Sequence, residues 1–106
     1  MDGLQHSIAS VFDRWRAEWR SVRIARIIYP SLWENVRRKI PNTSGTDLAE
    51  YANVRATQLA QEQVDAIMQA NPALSGAFAT RLVVKSTERA VNSVLEAVAN
   101  ARRAAA

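Results

Sequence analysis

The sequence predicts an all-α protein: a helical bundle of three long helices plus one short helix, with the last two long helices forming an antiparallel pair. Three observations carry that reading. Glycine and proline occur three times each in 106 residues, and the commonest residues are good helix formers. Apolar residues recur at helical spacing over three long stretches, with no sustained β-alternation. Proline, asparagine and serine stand where those stretches stop.

The first element is a long amphipathic helix. At 100° per residue, Leu4, Ile8, Val11, Phe12, Trp15, Trp19 and Val22 fall within an arc of about 100°, the width of one buried stripe. Arg16, Arg20 and Arg23 flank it. On the same wheel Ile24, Ile27 and Ile28 land on the opposite side, so either the helix bends near Ser21–Arg23 or its later turns meet a second surface.

Pro30 is expected to end that helix, because it lacks an N–H and clashes with the preceding turn. Ser31-Leu-Trp-Glu34 has the spacing of a capping box, so a short helix is expected up to Pro41, with Leu32, Val36 and Ile40 on one side. Arg37, Arg38 and Lys39 suit its C-terminal turn, where they offset the negative end of the dipole. Residues 42–46 read as a loop.

The third helix is expected near 47–70, with a narrow, alanine-rich stripe of Leu48, Ala52, Ala56, Leu59, Gln63 and Ile67. Asn71-Pro72 offers an N-cap and a first-turn proline for a fourth helix near 73–101. Val84, Thr87, Val91, Val94, Leu95 and Val98 form its apolar face. Residues 1–106 thus make one helical domain, a basic tryptophan-containing segment at 1–40 followed by an antiparallel pair within 46–103. A closed bundle of this length has a radius of gyration of about 14 Å; a much larger value implies an arm that needs a partner.

All the net charge of +4 lies in residues 1–40, where eight basic residues face four acids; residues 41–106 hold six of each. All three tryptophans are in the same segment. A basic, aromatic segment suits an anionic or apolar partner. Cysteine is absent, which excludes disulfides, thiolate metal sites and cysteine nucleophiles. His6, the one histidine, has no neighbour at ligand spacing. The isolated Gly45 and Gly76 make no phosphate-cradling loop. No cofactor, metal, small-molecule substrate or catalytic residue is therefore expected, and the chain reads as non-enzymatic. No apolar run approaches the roughly 20 residues that cross a bilayer. Asp2, Gln5 and His6 do not suit a signal peptide, which places the expected location in the cytoplasm or a virion.

Residues 51–92 resemble the helical part of the head-morphogenesis (minor capsid) proteins of tailed phages. Tyr51-Ala-Asn-Val-Arg-Ala-Thr-Gln-Leu-Ala60 is similar to the alanine- and arginine-bearing helix before their core. Ala79-Thr-Arg-Leu-Val-Val-Lys-Ser-Thr-Glu-Arg-Ala-Val-Asn92 is similar to their Arg-Thr-Glu helix. Lys85-Ser86 stands where the family has Arg-Thr, and Glu88 is displaced by about one position. The resemblance implies a virion or assembly component and carries no functional residue over.

The expected function is structural: helix-mediated protein–protein contact in an oligomer or assembly, with a phage head or head–tail complex as the implied setting. Ile24, Ile27, Ile28 and Tyr29 are assigned to apolar partner contact. Arg16, Arg20, Arg23, Arg37, Arg38 and Lys39 are assigned to an anionic partner, protein or nucleic acid. Phe12, Trp15, Trp19, Val22, Leu59, Val91 and Leu95 are assigned to the core. The alternatives are a basic helical nucleic-acid-binding protein and a peripheral protein of the membrane surface.

Overall fold

The computed structural model describes the backbone of residues 2–105 and the side chains of residues 16–105. It is all-α, with three long helices: α1 (Asp2–Arg37), α2 (Gly45–Ala70) and α3 (Gly76–Ala105). A single 3₁₀ turn, Ile40–Asn42, lies between α1 and α2. The helices run up, down and up. Arg55 of α2 meets Asn35 of α1 at one end, while Gln63, Ile67 and Asn71 line a groove with Arg20, Ile24 and Ile27 at the other. α1 and α2 are therefore antiparallel. Lys85 and Arg89 meet Glu18, and Ser93 and Glu96 share a groove with Tyr29, so α3 runs parallel to α1. The expected antiparallel pair of α2 and α3 follows, and Arg102 near the end of α3 donates to the Thr43 carbonyl at 3.3 Å, just before α2 begins.

The short helix expected after Pro30 is absent as a separate element. Pro30 lies inside α1, and the Ser31–Glu34 capping box does not form. Instead the Ser31 carbonyl accepts from Asn35 Nδ2 at 2.7 Å, and Glu34 pairs with Arg37 at 3.1 Å and Arg38 at 3.7 Å. The physical reason is position. Pro30 is on the exposed side of the helix, where water can serve the carbonyl its ring leaves unpaired. Ile28, Leu32 and Val36 are buried on the opposite side and hold the helical register across it.

The other ends differ from expectation by a few residues. Ser44 caps α2, its Oγ accepting from the Asp47 N–H at 3.3 Å. Asn71 closes α2 rather than opening α3: its N–H donates to the Met68 carbonyl, and its Nδ2 to the Ile67 carbonyl at 2.9 Å. Ser75 takes the N-capping role for α3, its Oγ accepting from the Phe78 N–H at 3.1 Å.

Small residues dominate the seams. Ala52, Ala56 and Ala60 form a fully buried row on α2; α1 contributes Ala17, Ser21 and Ala25, and α3 contributes Ser86 and Ala90. Such rows let helix axes approach closely. Leu32, Leu48, Leu82, Val36, Val64 and Val94 are the largest fully buried side chains besides serines. Val84, expected on the buried face of α3, is 49% exposed, while Leu82 and Val83 are buried in its place.

The molecule measures 61 × 25 × 19 Å with a radius of gyration of 16.6 Å, above that of a closed bundle. α1 is the cause. Its 36 residues amount to about 54 Å of helix. The α2–α3 connection lies level with Arg16 and Arg20, which share a groove with Ala73, Leu74 and Ser75. Residues 2–15 add about 21 Å of helix beyond that level.

Candidate functional site

The candidate surface is built on α1, around three sets of side chains. The buried set of α1 is Ala17, Ser21, Ile24, Ala25, Ile28, Leu32 and Val36, one turn apart along a single stripe. Ile24 and Ile28 therefore belong to the core and not to a partner contact, which corrects the assignment made from sequence. Their register falls in the middle of the stripe that faces α2 and α3. Ile27 is 52% exposed and Tyr29 is half-buried against the core.

This stripe is centred roughly 125° from the one formed by positions 4, 8, 11, 12, 15, 19 and 22, at 100° per residue. Trp19, expected as a core anchor, is accordingly 65% exposed. Val22 is half-buried and lines the same outward surface with Trp19 and Arg26. The indole could not enter the core here because the seam with α3 is made of Ala17, Ser21, Ala25, Ser86 and Ala90, which leaves no space for a ring. The side chains of Phe12 and Trp15, like those of His6 and Arg14, lie outside the described residues. Among the other expected anchors, Val91 is buried, and Leu59 and Leu95 are partly buried against the core.

The second set is polar and ties α1 to α3. Glu18 accepts from both Lys85 and Arg89. Arg89 Nε also donates to Ser21 Oγ at 3.2 Å, and Ser21 Oγ donates to the Glu18 carbonyl at 2.8 Å. The hydrogen bonds from Lys85 and then Arg89 hold the Glu18 carboxyl below the usual carboxylate range, against a smaller opposing effect of desolvation. No sequence signal marked this cluster, because its members are 67 to 71 positions apart.

The cations assigned to an anionic partner divide into two groups. Arg16, Arg20 and Arg23 lie near the α2–α3 connection, where the Arg20 guanidinium sits 5.8 Å from the centroid of the Phe78 ring. Arg37, Arg38 and Lys39 lie at the opposite end, about 21 Å further along α1. There Arg37 and Arg38 share Glu34, and Lys39 stands over the Tyr51 ring at 4.6 Å. The six cations do not form one surface.

Among the described residues no group of three or more His, Cys, Asp or Glu is arranged to hold a metal ion, and no helix is long and apolar enough to cross a membrane. No protein-family model, curated protein or solved structure matches this chain.

Proposed function

We propose that this chain is a non-enzymatic assembly module that makes helix-mediated contacts with other protein chains through the outward stripe of α1. One observation carries the reading: the bundle covers the α1 stripe through Ile24, Ile28 and Leu32 but leaves Trp19 65% exposed. On the outward side lie Trp19 and the half-buried Val22, and the α1 backbone runs on past the level at which α2 and α3 join. An aromatic and aliphatic surface of this kind is the composition that interface cores favour. The resemblance of residues 51–92 to phage head-morphogenesis proteins is the ground for proposing a phage head or head–tail complex as the assembly.

Size-exclusion chromatography with light scattering at tens of micromolar tests the reading. The parent chain is expected above monomer mass or bound to an added partner, and a Trp19→Asp/Val22→Asp variant is expected as a folded monomer. A strictly monomeric parent that retains no partner in pull-down overturns it.

A further inference from the structure

We propose that the groove between α1 and α2, continuing to the α2–α3 connection, binds a single nucleic-acid strand through Arg16, Arg20 and Arg23. This goes beyond the assembly reading and uses the groove on the α2 side of Arg23, whereas Trp19 and Val22 lie on its other side, with Arg23 bordering both surfaces. Arg16 and Arg20 stand clear of the Trp19 surface, so either proposal can fail alone.

Two adjoining hollows meet at Arg20. One of about 400 Å³ lies between Arg20, Arg23 and Ile27 on α1 and Gln63 and Ile67 on α2, with Asn71 at the end of α2. The other, of about 240 Å³, lies between Arg16, Arg20, Leu74, Ser75 and Phe78. Among the described residues no aspartate or glutamate lines either one. Arg16, Arg20 and Arg23 take part in none of the ion pairs among the described residues, whereas the α1 acids Glu18 and Glu34 are each held by two cations elsewhere. Among the described residues, three guanidinium groups therefore line a concave track that no carboxylate shares.

The spacing suits a chain of phosphates. From Arg16 to Arg23 the helix rises about 10.5 Å, and each guanidinium can engage a phosphate through two parallel N–H donors. Stacking on Phe78 holds Arg20 at the junction of the two hollows. Ile27, Ile67, Leu74 and Phe78 place apolar surface between the cations. The bases of a strand have flat faces to lay on that surface, whereas an acidic peptide would satisfy the arginines and leave it bare. The cations line a trough instead of crowning a ridge, which favours a single strand over a duplex, whose major groove takes a projecting helix.

Fluorescence anisotropy with a labelled oligothymidylate of about 15 nucleotides tests the proposal on the full chain. The logarithm of affinity is expected to fall with the logarithm of salt at a slope of about −2, from three phosphate contacts at about 0.7 each. Arg16→Gln/Arg20→Gln/Arg23→Gln should weaken binding at low salt by roughly ten-fold or more and flatten that slope. Arg37→Gln/Arg38→Gln, at the far end, should change binding by less than about two-fold. Because Arg20 covers Phe78, the double variant Arg16→Gln/Arg23→Gln with an unchanged melting curve separates lost contacts from lost folding. The proposal is overturned by absent binding at low salt, by undiminished binding of the triple variant, or by polyglutamate competing as well as the oligonucleotide.

Discussion

Arg89 on α3 donates through Nε to the Ser21 hydroxyl on α1 across 3.2 Å. Ser21 is fully buried, so this contact reaches into the seam where the two parallel helices meet. It works because the residues around it are small. Ala17, Ala25, Ser86 and Ala90 bring the helices close enough for an arginine on the rim to find a buried serine.

Ser21→Leu should therefore destabilise the bundle by about 1–3 kcal/mol, since the extra volume has no space to enter and the Arg89 acceptor is lost. Urea denaturation measures this. Ala66→Leu, at an exposed position of α2, should stay within about 0.5 kcal/mol of the parent.

Thr87 is a buried hydroxyl with the opposite expectation. Its Oγ1 has no hydrogen-bond partner among the described residues, so its burial is not offset by a protein contact there. Thr87→Val keeps the shape and removes the unpaired group, and should raise stability by about 1 kcal/mol. A lower denaturation midpoint for Thr87→Val would mean that the hydroxyl is satisfied after all.

The contrast between Trp19 and Ile24 shows what the sequence could disclose. Periodicity marked both apolar stripes of α1, and it located the helical stretches that became α2 and α3. It could not tell which stripe the bundle would cover, because that depends on matching seams contributed by chain segments up to 70 residues away. The alanine row of α2 and the Ser86–Ala90 turn of α3 mate with Ala17, Ser21 and Ala25, and this match turns Trp19 outward. The Glu18 cluster was illegible for the same reason: local spacing pairs Glu18 with Arg14, and only the tertiary fold brings Lys85 and Arg89 to it. Pro30 misled through a local rule whose force depends on which side of the helix the ring occupies.

Pro30 also supplies a test of how α1 is held together. A proline in a helix interior is roughly 3 kcal/mol less favourable than alanine, offset in part because proline also restricts the unfolded chain. Pro30→Ala restores the backbone bond on the exposed side without touching Ile28 or Leu32, and should stabilise the chain by about 2 kcal/mol. Thermal melting measures it. A neutral or destabilising result would show that α1 needs a deformation at this point to seat Leu32 and Val36.

Acid sensitivity should report on Glu18. Lys85 first, and Arg89 second, hold its carboxyl below the usual range, so its folded pKa lies under its unfolded value of about 4.3. A depressed carboxylate contributes stability that is present above the unfolded pKa and lost as pH falls through the folded one. Melting temperatures of the parent and Glu18→Gln should therefore differ most near neutrality and converge as pH falls below the folded pKa. Whatever the rest of the chain contributes is common to both proteins and cancels from the comparison. Because the groups are between a third and a half exposed, high salt should shrink the neutral-pH gap by screening. If parent and variant lose equal stability on acidification, the ion pairs are no more than surface decoration, and the α1–α3 seam rests on Ser21 and its alanine neighbours alone.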